Sequence, residues 1–177
     1  TPKTVLMKKG ILILLVLISF TAMAQHQYEV LVERPNEKSL KGIISRQVLL
    51  ADSTSGKWYA DGLKGFTVRT DAKEALEKNK DSVKLLVFIG TWCEDSHFIL
   101  PKLYATCDAA GFPEKNITLI GVDRNKTTLG NLTETLNVKN VPTIIVFKNG
   151  KELGRIVEYG KYGMFDKELA EIIVGSR

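Results

Sequence analysis

Three runs rich in branched and aromatic side chains dominate the second half of the chain: VKLLVFIG from Val83, NITLIGVD from Asn116 and VPTIIVFKNG from Val141. Each is short and almost unbroken in its apolar character, the pattern of strands buried on both faces. Between the first two, apolar residues recur at helical spacing from Cys93 to about Ala110. Pro101, inside that stretch, predicts a kink because it lacks the N–H of an intrahelical bond. KTTLGNLTETLNV predicts a further helix. KELGRIVEYG is expected to pair with VPTIIVF across a turn at Asn149-Gly150, and FDKELAEIIVG predicts a closing helix. Strands alternating with helices, then a hairpin and a helix, specify an α/β domain with a mixed central sheet.

The first half is less regular. YEVLVER reads as a short strand or an extended arm, RQVLLAD has helical spacing, and GKWYADGLKGF suggests a second short helix. Asp71 is placed to cap AKEALEKNK, a strong helix former. Trp58, Tyr59 and Phe66 are expected to pack on the main core, since isolated aromatics mostly serve burial. At the start, Met7-Lys8-Lys9, the apolar run from Gly10 to Phe20 and the step Ala22-Met23-Ala24 are the three parts of a secretory signal peptide. The run is shorter than the roughly 20 residues of a bilayer span. The organisation expected is a leader over 1–24, an N-terminal extension over 25–82 packing on the core, and an α/β domain over 83–177. An uncleaved N-terminal anchor is the alternative for the leader.

Composition fits a globular domain, with 44% hydrophobic and 25% charged residues among 177. The formal charge is +5, but Lys3, Lys8 and Lys9 lie in the leader, so most of the excess belongs to targeting and gives no nucleic-acid footprint. With His26 and His97 the only histidines, and with no G-x-x-x-x-G-K-[ST], H-E-x-x-H or second C-x-x-C, neither metal nor phosphate chemistry is indicated. No cofactor is expected. Export places the protein in the periplasm or outside the cell, an oxidising compartment where paired cysteines become disulfides. The two cysteines are Cys93 and Cys107. Fourteen residues of helix span roughly 21 Å, whereas bridged Cα atoms lie within about 7 Å. Cys107 is therefore expected in the core and not as the partner of Cys93.

Trp92-Cys93 directly after a buried strand, Pro101 eight residues on, Val122-Asp123 at the end of the next strand, Val141-Pro142-Thr143 before another, and Phe147-Lys148-Asn149-Gly150 at the last turn together resemble the thioredoxin superfamily. Gly90 to Ser96, with the leader, is similar to secreted thioredoxin-like proteins of Bacteroidetes type. The resemblance runs from about Val83 to Val174. It implies a three-layer α/β/α sandwich with a mixed central sheet, here with an N-terminal helical extension. It implies an attacking cysteine at Cys93, at the first turn of a helix whose N–H groups and dipole favour thiolate chemistry. It implies a cis Val141-Pro142 peptide that presents the Val141 backbone beside the sulfur, and a substrate-binding surface of Trp92, Val141 and Pro142.

Two departures qualify this. Ser96 stands where the family carries its resolving cysteine, giving C-x-x-S, and Val87 stands where it carries a buried aspartate. Ser96 has a hydroxyl that could donate to the Cys93 sulfur but cannot form a disulfide with it. His97 either stabilises the thiolate and moves a proton or is a solvated helix residue, and Glu94 and Asp95 suit a helix start. The activity implied is thiol–disulfide exchange through Cys93 alone with a protein or low-molecular-weight thiol or disulfide, completed by an external thiol. A non-catalytic binding or chaperone-like module is the alternative. A third reading, iron–sulfur ligation through C-x-x-S, needs a dimer and an added thiol.

Overall fold

The computed structural model describes residues 27–35 and 37–175. The leader, its cleavage point and His26 lie outside the described residues. The described chain runs β1 (Tyr28–Arg34), β2 (Glu37–Ile44), α1 (Arg46–Ala51), α2 (Ser53–Gly62), α3 (Thr70–Asn79), β3 (Val83–Ile89), α4 (Glu94–Ala109), β4 (Ile117–Gly121), α5 (Leu132–Thr135), β5 (Thr143–Lys148), β6 (Lys151–Val157) and α6 (Phe165–Val174). The sheet order is β1-β2-β4-β3-β5-β6. Only β3 and β4 pair in parallel; the other neighbours are antiparallel, so the sheet is mixed.

The two faces are covered unequally. Val83, Leu85, Val87 and Ile89 of β3 join the larger core with Leu76 of α3, Leu103 of α4 and Leu169 of α6. On the opposite face Phe88, Ile120, Val122, Val138, Val141 and Ile145 form a smaller core, with Trp92 and Cys93 packed against it. This is the α/β/α sandwich of the expected class, thin on the second face. KTTLGNLTETLNV yields only the four residues of α5. Lys126, Gly130 and Asn137 take positive φ values of 60°, 64° and 52°, which no continuous helix admits. The β5–β6 turn follows expectation: Lys148 pairs with Lys151, and Asn149 and Gly150 have φ of 52° and 78°, as a type I′ turn needs.

The extension carries helices, but also a hairpin that continues the sheet. YEVLVER is strand, and its partner EKSLKGII escapes pattern reading because Leu40, Ile43 and Ile44 are its only large apolar residues. Ile43 and Ile44 of β2 pair with Ile120 and Leu119 of β4. Ser45 caps α1 by accepting from the Val48 N–H, and Asp52 caps α2 by accepting from the Ser55 N–H at 2.8 Å. Asp71 is not the cap of α3. The helix starts two residues earlier than that cap requires, Arg69 takes the cap position, and Asp71 in the first turn pairs with the Arg69 guanidinium at 2.7 Å. Tyr59 is in the main core and Trp58 packs against it, whereas Phe66 stays half-buried and joins neither core.

Arg46 fastens α1 to α4. Its two terminal nitrogens reach Asp108 at 2.7 and 2.9 Å, and its guanidinium carbon stands 4.1 Å from the Tyr104 ring centroid. A planar fork that matches a carboxylate and lies on an aromatic face does both at once. Replacing Arg46 with Ala removes both contacts; a loss of about 1–2 kcal/mol is expected. Urea unfolding measures the loss, and limited proteolysis should show new cleavage between residues 46 and 62.

Candidate active site

β3 ends at Ile89 and α4 begins at Glu94, with four residues between them. The reversal is closed by the Cys93 N–H donating to the Gly90 carbonyl at 2.9 Å, and the Cys93 carbonyl accepts from the His97 N–H at 3.0 Å. Cys93 has φ −101° and ψ 121° and is the N-cap of α4, one position before the first turn where the sequence placed it. The free N–H groups of an opening helical turn and the positive end of its dipole gather at this end. The half-buried thiol lies 3.4 Å from the Val141 carbonyl oxygen, to which it donates. Val141–Pro142 is a cis peptide. Trp92, Cys93, Val141 and Pro142 are thus brought together from elements 48 residues apart.

Trp92, Ser96 and His97 brace this turn. Ser96 is fully buried, and its Oγ accepts from the Gly90 N–H at 3.2 Å; the hydroxyl holds the end of β3. His97 Nε2 is 2.7 Å from the Thr91 carbonyl. A carbonyl can only accept, so Nε2 carries the proton and spends it on that bond. The imidazole stacks on Trp58, with centroids 4.4 Å apart and planes 14° apart. The ring is half-buried, which the solvated-residue expectation does not describe, and its Nε2 is engaged by the Thr91 carbonyl. Trp92 folds against Gly90, where a Cβ would stand 2.6 Å from the indole, so no larger residue fits there without moving the ring. The indole N–H donates to the Val122 carbonyl at 2.9 Å.

Several neighbours had no signal in the sequence. Tyr159 donates from its hydroxyl to Asp95 at 2.8 Å, and burial followed by the Asp95 carboxylate pushes that phenol up to about 12. Its ring lies 5.4 Å from Phe98. Thr91 Oγ1 accepts from the Leu40 N–H at 3.0 Å, tying the turn to β2. Beneath the site, Val87 is buried in apolar surroundings where a carboxylate would have been a proton carrier. Cys107 is fully buried, and desolvation pushes its thiol up to about 12. Both cysteines are free. Among the described residues no cluster of His, Cys, Asp or Glu is arranged to hold a metal.

Comparison with known proteins decides the family. The thioredoxin family model matches residues 66–171, more than half of the chain. The chain belongs to the thioredoxin family. It is 31% identical over 104 residues to chloroplastic thioredoxin Y of Oryza sativa, covering 54% of this chain and 58% of that one. It is 33% identical over 93 residues to a thioredoxin of Echinococcus granulosus, covering 51% of this chain and 81% of the relative. The chain thus spans little more than half the length of the rice protein. Among solved structures, an HIV epitope scaffold shares the fold over 75% of this chain and 93% of its own, with a TM-score of 0.55 and 20% identity. A Pseudomonas aeruginosa protein of unknown function does so with a TM-score of 0.53 and 19% identity, over the same shares.

In this thioredoxin-family site one sulfur is presented at a helix start beside the Val141 carbonyl, and the hydroxyl three residues on serves the scaffold. Replacing Ser96 with Ala should therefore act on stability. It leaves the buried Gly90 N–H without its partner, at a cost of about 1–3 kcal/mol. A fall in the urea midpoint is the expected result.

Proposed function

We propose that this thioredoxin-family chain is a monothiol thiol–disulfide oxidoreductase of the secreted Bacteroidetes type, acting in the periplasm or outside the cell, with 1–24 as its leader and 25–82 as an extension on the 83–177 domain. The observation that carries the reading is the placement of Cys93: half-buried at the N-cap of α4, 3.4 Å from the Val141 carbonyl, while Cys107 is sealed in the core. The Cys93 thiolate attacks one sulfur of a substrate disulfide. A bond forms between Cys93 Sγ and that sulfur, and the other sulfur leaves as a thiolate. Ser96 has no sulfur to attack the mixed disulfide, so an external thiolate does so. It forms a disulfide with the substrate sulfur and returns Cys93 as thiolate, and the electron pair passes from external thiol to substrate.

Trp92 and the Val141-Pro142 backbone provide the surface on which an extended substrate segment lies, with the Val141 N–H and C=O as its pairing edge. Incubation with oxidised glutathione is expected to give an adduct on Cys93, removed by added reduced glutathione, and none in Cys93→Ser. Peptide mass mapping reads the outcome. An adduct on Cys107 at equal yield, or none on either cysteine, contradicts the mechanism. Val87 and the occupied Ser96 hydroxyl favour a second reading, a binding module that uses the same surface without chemistry. Client binding unchanged in Cys93→Ala supports that reading.

A further inference from the structure

The indole of Trp92 is held by a residue outside the turn between β3 and α4. The Arg124 guanidinium lies 4.9 Å from the ring centroid, within the range of a cation over an aromatic face. Arg124 is itself gripped. Its Nε donates to Glu37 Oε1 at 2.8 Å, its Nη2 donates to the same oxygen, and its backbone N–H donates to Glu33 Oε1 at 3.0 Å. Glu33 lies near the end of β1 and Glu37 opens β2, so both acceptors come from the two sides of one hairpin turn. That hairpin precedes residue 66, where the match to the family model starts.

A cleft of about 600 Å³ shows what the arrangement controls. Val32, Glu37 and Lys38 of the hairpin line one side, and Thr91, Trp92 and His97 of the active-site turn line another. A molecule lying against Trp92 on this side also meets the hairpin. Without the two glutamates Arg124 would have solvent in place of its carboxylate partners, and its guanidinium would leave the indole face more readily. Trp92 directly precedes Cys93 in the chain and lines this cleft.

We propose that Arg124 is a positioning residue for Trp92, held in place by Glu33 and Glu37, and that the N-terminal hairpin is thereby a working part of the redox site. The placement of the indole stands on the geometry alone; the kinetic consequence rests on the exchange activity proposed above.

The test uses the mature chain with Trp58→Phe, which leaves Trp92 as the single tryptophan and keeps an aromatic ring against His97. Two quantities are read: acrylamide quenching of Trp92 fluorescence, and the rate at which Cys93 forms a mixed disulfide with insulin. Arg124→Ala and Glu37→Gln should each raise the quenching constant and slow the insulin reaction by about two- to tenfold, the range one such contact supplies. Arg124→Lys, which keeps the cation, should stay closer to the parent in quenching. The double variant should be no worse than Arg124→Ala, because the two side chains act in series. Quenching unchanged in both single variants, or losses that simply add in the double variant, overturns the positioning role. Raised quenching with an unchanged insulin rate overturns the assignment of the hairpin to the redox site. A parent protein that forms no adduct refutes the exchange activity, and the quenching comparison then still decides the role of Arg124.

Discussion

The four-residue reversal between β3 and α4 is the constraint to which the rest of the site answers. It closes on the Cys93 N–H bonded to the Gly90 carbonyl, and it works only if the chain can be held that tight while a tryptophan folds back over it. Gly90 gives the indole room, Ser96 pins the Gly90 N–H from inside, and His97 pins the Thr91 carbonyl from behind. Two side chains that look like candidates for chemistry, Ser96 and His97, are therefore engaged in shaping one bend. The outcome is a single sulfur, left facing the Val141 carbonyl at the head of a helix.

The extension is joined to this bend at several independent points. Leu40 of β2 donates to Thr91, Trp58 of α2 stacks on His97, and Glu37 reaches Trp92 through Arg124. Arg46 secures the same unit to α4 farther along. Residues N-terminal to the matched family segment thus contact the turn directly at Thr91 and His97, and reach Trp92 through Arg124. Val141 and Pro142, by contrast, come from within the matched family segment.

Much of the fold was legible because its strands are continuous apolar runs and its last turn is Asn-Gly, signals that depend on burial and local backbone geometry. β2 was not, since a strand pairing with one neighbour through Ile43 and Ile44 and carrying Glu37, Lys38 and Lys41 has no run to detect. The Asp71 cap failed by two residues: the helix starts at Thr70, and Asp71 in its first turn pairs with Arg69. In the site, Trp92, Cys93, Val141 and Pro142 could be assembled from the resemblance, whereas the occupations of Ser96 and His97 could not. Both depend on which backbone group comes within reach, which spacing along the sequence does not encode. Arg124 and Tyr159 were invisible for the same reason, being ordinary loop residues until the fold brings Trp92 and Asp95 beside them.

Of the two free cysteines, Cys93 is half-buried at the head of a helix and Cys107 is packed in the core; the proposed mechanism makes Cys93 alone the nucleophile. Peptide-resolved alkylation of the native protein by iodoacetamide, between about pH 6 and 9, tests this without assuming a substrate. Cys93 should be modified rapidly in the folded state. Cys107, sealed in the core with its thiol pushed up to about 12, should react only once the protein is unfolded. Equal rates for the two cysteines in the native protein would contradict the account.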